Sequence, residues 1–429
     1  MERFAFKQLI EWKKRGDRKP LIVSGARQVG KTWLIKEFGR KEYGQLAYIN
    51  FESSSALRML FEQDFDINRI LMAVQLETGV KVTAENTLIV FDEIQEADRG
   101  LTALKYFYEN APNYHIIAAG SLLGVALHKS TSFPVGKVSF LNLYPLDFPE
   151  FMLAVGQGAL LDLLNSRDWS LIKAFRYKFT ELLKQYYYVG GMPEVVSSFA
   201  ENNDFDKVRL LQTEILNSYE RDFSKHAPHE IVPRITMLWN SIQAQLAKEN
   251  KKFIYGLVKK GARAKEYELA LSWLINSGLV YKVKRISKPD IPLSGYADES
   301  AFKLFVVDLG LLCAIGDIDA ITLLNGNSIF EEFKGALTEQ YVLQQLIVNK
   351  ALFYWSAETG TAEIDFLIQH LGKVVPIEVK SSENLQAKSF KVYCRKYHPE
   401  MAVRTSMSDY RKEDWFDNIP LYAVGQIFD

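Results

Sequence analysis

Over its first third the chain alternates short, continuous apolar runs with longer stretches of helical periodicity. The runs are Leu21-Ile22-Val23, Ala47-Tyr48-Ile49, Leu88-Ile89-Val90-Phe91 and Ile116-Ile117-Ala118-Ala119, with residues 138–143 as a fifth. Apolar runs without polar alternation suit strands covered on both faces, and helices between them supply the crossovers of a parallel sheet. The pattern predicts an α/β domain over residues 1–150. After Pro145 helical periodicity takes over, and residues 153–164, 171–189 and 205–223 read as helices of a lid region spanning 151–227. Gly190-Gly191-Met192-Pro193 breaks the last two apart. Residues 231–248, 254–259 and 266–276 read as three helices, Gly278 sits where a C-cap belongs, and residues 279–283 read as a strand. Helix, helix, helix, strand is the order of a winged helix, expected over residues 228–295. There Pro289-Asp290-Ile291-Pro292 reads as a linker or a wing loop. From 296 to 429 a long helix over 333–348 and strands over 363–368 and 374–379 predict a second α/β domain.

Composition narrows the class. Hydrophobic residues at 48% and charged residues at 24% exclude a mostly disordered chain. Lys plus Arg (52) equals Asp plus Glu (52), so any nucleic-acid contact has to come from a local patch. The longest apolar stretch, from Ile116 to Leu127, is too short for a membrane span, and the first residues lack a signal-peptide core. Cys313 and Cys394 are too few for a disulfide framework or a cysteine-based zinc site. The expectation is a soluble, cytoplasmic, multidomain protein with no membrane contact.

Gly25-Ala26-Arg27-Gln28-Val29-Gly30-Lys31-Thr32 matches the phosphate-loop pattern G-x-x-x-x-G-K-[ST]. Its glycines let backbone N–H groups wrap a phosphate chain, and a helix starting near Lys31 points its positive end at that chain. Lys31 reaches the β and γ oxygens, and Thr32 offers a hydroxyl to Mg²⁺. Residues 25–33, with Trp33 continuing the helix, are therefore the candidate ATP-binding residues. The run Leu88–Phe91 ends in Asp92 and Glu93, carboxylates at the sheet edge where open α/β sheets bind ligands. Asp92 is the candidate partner of Mg²⁺, and Glu93 the candidate base that polarises the attacking water. Ser121, after the fourth run, suits either a contact to the γ-phosphate or water, or a simple turn cap.

These motifs resemble a family of bacterial and archaeal AAA-type ATPases that carry a C-terminal domain of uncharacterised function. The likeness rests on the phosphate loop, Asp92-Glu93-Ile94-Gln95, Ala119-Gly120-Ser121, residues 144–151, residues 190–196 and the C-terminal motifs below. The resemblance implies phosphate and Mg²⁺ binding by Lys31 and Thr32, Asp92 assisting the metal, Glu93 as catalytic base and Ser121 as first sensor. Many relatives have Gly-Arg where this chain has Gly136-Lys137. Lysine lacks the planar guanidinium of an arginine finger, which leaves Arg99, Arg209 and Arg221 as open candidates. A homo-oligomer would let a neighbouring copy supply that arginine.

Two further features concern the second half. Between Lys248 and Lys288 stand eleven basic residues (Lys248, Lys251, Lys252, Lys259, Lys260, Arg263, Lys265, Lys282, Lys284, Arg285 and Lys288) against three acids, Glu249, Glu266 and Glu268. On a neutral chain this is the footprint double-stranded DNA requires, although solvated lysines on a packing lid give the same pattern. Nearer the C-terminus, strand alternation places Asp365 opposite Ile364 and Phe366, and Glu378 with Lys380 opposite Val375, Ile377 and Val379. Paired as a hairpin, the two runs would bring Asp365 and Glu378 together. Glu339, on the long helix, would complete a second metal site with Lys380 beside it. The arrangement resembles the PD-(D/E)xK nuclease fold, with Ile364-Asp365 in place of Pro-Asp, although acids and a lysine on a polar sheet face are also common. His226, His229 and Glu230 are set aside as a zinc site, because Pro228 interrupts the helix they need.

The expected protein is thus an α/β, AAA-type P-loop domain followed by a helical region with a winged helix and a restriction-endonuclease-like α/β domain. Its leading function is a Mg²⁺-dependent ATPase coupling nucleotide state to a DNA-contacting C-terminal part. The alternatives are a very slow ATP-binding switch acting through protein partners, and a metal-dependent nuclease regulated by ATP.

Overall fold

The computed structural model describes residues 1–126, 134, 136–246, 252–325, 331–358, 361–381 and 388–428. Leu127, Lys248, Glu249 and Lys251 lie outside them. The chain divides into two compact units, one of residues 2–144 with 276–279 and one of residues 145–275 with 280–429.

The described residues of the first unit form five strands: β1 (Leu21–Ser24), β2 (Gln45–Asn50), β3 (Thr87–Asp92), β4 (His115–Ala119) and β5 (Ser139–Asn142). They pair in the order β2-β3-β4-β1-β5, all parallel, and correspond to the five apolar runs. Every residue of β3 and β4 is buried, as central strands with helices on both faces require. Phe51, Phe61, Phe91 and Phe107 fill the core on one face at ring separations of 5.1–5.9 Å. The neighbouring strands β3, β4 and β1 deliver Asp92-Glu93, Gly120-Ser121 and the phosphate loop to one edge of the sheet.

In the second unit the predicted helices are present but broken more often than periodicity suggests. Residues 153–164 divide between helices Phe148–Ala154 and Gly158–Ser166, because Gly156 between them adopts φ +75°. Residues 171–189 divide between Trp169–Ala174 and Arg176–Val189. The Gly190-Gly191 break has a packing cause. Leu146 donates its N–H to the Gly191 carbonyl at 2.7 Å, and a Cβ on Gly191 would lie 2.0 Å from the Leu146 carbonyl oxygen. Gly191 in turn donates its N–H to Asp308 at 2.6 Å. Asp308 caps the helix Leu309–Ile315 through Leu311 and also accepts from Gln344 at 3.1 Å.

Among the described residues of this unit eight strands form a single mixed sheet: β6 (Val280–Ile286), β7 (Ala297–Val306), β8 (Phe353–Ser356), β9 (Glu363–His370), β10 (Lys373–Val379), β11 (Val403–Ser406), β12 (Arg411–Lys412) and β13 (Asp417–Pro420). Their order is β12-β13-β11-β10-β9-β8-β6-β7. Helices Val232–Leu246, Tyr255–Val258 and Ala264–Asn276 precede the β6–β7 hairpin, so the winged-helix order of elements is there. The hairpin is not a free wing, however. β6 pairs parallel with β8, which makes β6 and β7 the edge of the large sheet, and the expected boundary at 295 falls between two paired strands. Sequence order alone could not reveal this, because β8 lies beyond a further 46 residues of chain. The expected β9–β10 hairpin is antiparallel, turned by Leu371 and Gly372 at φ +47° and +74°.

Candidate functional site

The phosphate loop connects β1 to the helix Lys31–Glu42. Gly30 precedes the helix at φ +91°, and Gln28 also takes the left-handed region at φ +66°. Gly25, at φ +146°, leaves no room for a side chain: a Cβ there would sit 2.2 Å from the Leu143 carbonyl oxygen. The first N–H groups of a helix have no partner within it, so this turn presents donors to an anion. Arg3, which the sequence did not point to, holds the loop from behind by donating to the carbonyls of Val29 (3.0 Å) and Tyr144 (2.6 Å). Lys31 is buried and donates to the carbonyls of Gly25 (2.9 Å) and Ala26 (2.8 Å). Burial pushes its ammonium down to about 8, against the attraction of Glu93 and Asp92. Trp33 continues the helix as expected, and the helix buries Leu34, Ile35 and Phe38 while Trp33 is 46% exposed.

Asp92 and Glu93 take different environments. The Thr32 hydroxyl donates to Asp92 Oδ2 at 2.8 Å, and the Tyr48 hydroxyl donates to the same oxygen at 2.7 Å. A hydroxyl and a carboxylate oxygen at that separation are the hard donors Mg²⁺ takes beside a triphosphate, so these residues fit the ion. Glu93 stands in the left-handed region at φ +51°, a strain of about 1–3 kcal/mol of the kind that clusters at functional sites. Its Oε2 accepts from Gln95 Nε2 at 2.5 Å and from the N–H and hydroxyl of Ser121 at 3.3 and 3.4 Å. Ser121 is thus brought beside Glu93. The sequence did not point to Tyr48 or to a role for Gln95, although Gln95 stands two residues after Glu93.

The C-terminal carboxylates form a different kind of site. The Asp365 carboxylate accepts the Val379 N–H at 2.8 Å, and Glu378 pairs with Lys380 at 2.6 Å. Glu339 comes from the helix Glu331–Leu346, as expected. A residue absent from the expectation, Lys303 of β7, is completely buried among them, with its ammonium 2.5 Å from Glu363 and 3.5 Å from Glu339. Desolvation opposes that charge, but Glu363, Glu339 and Asp365 outweigh it and hold Lys303 well above the ordinary lysine range. Burial pushes the Glu378 carboxyl up against the pull of Lys380. Among the described residues no group of three acids, histidines or cysteines is placed to hold a metal ion. The expected second metal site at Glu339, Asp365 and Glu378 thus has two lysines, Lys303 and Lys380, among its carboxylates.

With this geometry in place, comparison with known proteins separates the segments. Residues 17–152 match a family described as AAA domain. Residues 180–322 match a domain of unknown function (DUF8612), and residues 334–424 match another (DUF4143). The phosphate loop, Asp92, Glu93 and Ser121 all fall within the segment that matches the AAA domain family. None of the curated proteins matches the chain. Similar solved structures include the Walker-type ATPase PABY2304 of Pyrococcus abyssi, at 15% identity over 73% of this chain and 95% of that one, with a TM-score of 0.46. Another is the Aeropyrum pernix ORC1 protein in complex with DNA, at 13% identity over 74% and 93%, with a TM-score of 0.28. Both scores are too low for either likeness to bear on what this chain does. The AAA match supports nucleotide binding and ATPase chemistry in general.

The remaining candidates are resolved locally. In the AAA domain Lys137 pairs with Glu109 at 3.2 Å, and Arg99 donates to the Glu62 carbonyl while its guanidinium lies 4.1 Å from the Phe65 ring centre. Elsewhere Arg209 stacks on Tyr188 and donates to the Ile318 carbonyl, and Arg221 is exposed. Part of the basic stretch is neutralised by acids just beyond it. Lys282 and Lys284 pair with Glu299, Arg285 with Asp298, and Lys288 with Asp290. Exposed Lys259, Lys260, Arg263 and Lys265 remain, clustered where helix Tyr255–Val258 turns into Ala264–Asn276. Both cysteines are buried free thiols, and burial pushes each up to about 12, which disfavours the thiolate. Among the described residues no helix is long and apolar enough to cross a membrane.

Proposed function

We propose that the chain is a Mg²⁺-dependent ATPase whose AAA domain couples nucleotide state to the second unit. The observation that carries this reading is the 2.8 Å bond between Thr32 and Asp92, which joins the phosphate loop to the carboxylate edge of β3. In the mechanism, the loop amides and Lys31 hold the triphosphate, with Lys31 transferring its donors from the Gly25 and Ala26 carbonyls to phosphate oxygens. Thr32 and Asp92 would hold Mg²⁺, which when bound neutralises charge on the β- and γ-phosphates. Glu93 turns from Gln95 and Ser121 to orient and polarise the attacking water, and Ser121 stays beside it as a hydrogen-bonding partner of the γ-phosphate region. Catalysis of this kind is positioning plus charge stabilisation, and without an arginine finger it is slow. Double-stranded DNA is the proposed partner, met through Lys259, Lys260, Arg263 and Lys265.

Titrating ATP with and without Mg²⁺ onto wild type, Thr32→Ala and Asp92→Asn tests the reading. Mg²⁺ should tighten binding to wild type and lose most of that effect in both variants. Equal Mg²⁺ dependence in all three would remove the assignment.

One observation favours a second reading, a nucleotide-binding switch that barely turns over. Gln95 engages Glu93 at 2.5 Å, a contact that competes with water for one of its carboxylate oxygens. A nuclease regulated by ATP is supported less, since Lys303 and Lys380 compete with any metal for the carboxylates of Glu339, Glu363 and Glu378.

A further inference from the structure

Lys303 is the lone basic residue in an otherwise apolar and small-residue run from Ala301 to Val307, a strand that is buried from Ala301 onward. A lysine in such a strand has to be paired, because an isolated buried ammonium loses its hydration without replacement. Its partners come from two other elements: Glu363 at the start of β9 and Glu339 of the helix Glu331–Leu346. The Tyr354 ring of β8 lies 5.0 Å from the ammonium and adds a π face to the cation's cage. Asp365 and Glu378 are near enough to feel its charge, and Lys380 closes the other end of the cluster on Glu378. The fully buried ammonium thus stands among the carboxylates that a metal would bridge in a nuclease-like site. Asp365 has one oxygen committed to the Val379 N–H, which leaves less of it for a metal.

We infer that Lys303 is the resident cation of this cluster, that it excludes divalent metal from Glu339, Asp365 and Glu378, and that the C-terminal domain is a binding module rather than a metal-dependent phosphodiesterase. The inference stands on the second unit alone and does not depend on ATP hydrolysis.

The test is Mn²⁺ binding to the full chain without nucleotide, followed by the electron paramagnetic resonance signal of free Mn²⁺. Wild type and Asp365→Asn, which keeps an acceptor for the Val379 N–H, should bind equal amounts. Lys303→Met should bind one additional Mn²⁺, and Lys303→Met combined with Asp365→Asn should lose it. Wild type binding one Mn²⁺ more than Asp365→Asn would overturn the inference. So would a folded Lys303→Met that gains none. Should Lys303→Met fail to fold, the comparison of wild type with Asp365→Asn decides the matter alone, since it involves no change at 303.

Discussion

A buried lysine whose ammonium is held down to about 8 should take up a proton when a triphosphate arrives. The sign follows from the two states. Without nucleotide, Lys31 faces two carbonyl oxygens in a desolvated loop, and its folded value lies below the ordinary 10.5. Between those values the unfolded chain holds a proton that the folded chain lacks, so this group makes stability rise with pH across that window. Next to phosphate oxygens the charged form is favoured again, and the proton returns on binding. With a free-protein value near 8 and a bound value near the ordinary one, uptake is about 0.8 proton at roughly pH 8.5 and about 0.1 at roughly pH 7. The ligand contributes little at the higher pH, which lies far above the second phosphate ionisation of about 6. The assay is calorimetric titration with a non-hydrolysable ATP analogue in buffers of different ionisation enthalpy, where the slope of heat against that enthalpy counts protons. Lys31→Met should abolish the slope at the higher pH. Binding without a buffer-dependent heat there, or with proton release, would refute the reasoning about the loop.

Other consequences lie outside the loop. Gly191→Ala has to move the Leu146 carbonyl, and should cost roughly 3 kcal/mol or more, read as a lowered denaturant midpoint. Asp308→Ala removes the acceptor for Gly191, Leu311 and Gln344 and should cost about 3–5 kcal/mol, whereas Asp308→Asn should recover part of it. If the exposed lysines meet DNA, Lys259→Glu with Lys260→Glu should reduce the salt slope of binding by about 2, one phosphate contact per lysine; an unchanged slope would place DNA elsewhere or nowhere.

The AAA domain was legible because its signals are local. The phosphate loop is eight consecutive residues, Asp92-Glu93 end an unbroken apolar run, and parallel strands announce themselves by such runs. What escaped reading depends on long-range pairing. Lys303 reaches Glu339 and Glu363 only through the order of the eight-stranded sheet, although a single lysine within an apolar strand was a signal available in the sequence. The basic stretch looked stronger than it is, since its strand partners Asp298 and Glu299 stand on β7, outside the counted window. Three helices followed by a strand were legible as elements, but β8, which claims β6 for the larger sheet, comes much later in the chain. Gln95 was adjacent to the site in sequence and still went unread, because the left-handed turn at Glu93 is what folds one side chain back onto the other.

Phosphate release from Mg²⁺-ATP by wild type and by Glu93→Gln, with and without double-stranded DNA, tests the central claim most directly. The account predicts measurable wild-type turnover, raised by DNA, and a fall of at least about 10²-fold in Glu93→Gln with ATP binding retained. Tight ATP binding with no turnover by wild type under either condition would contradict it.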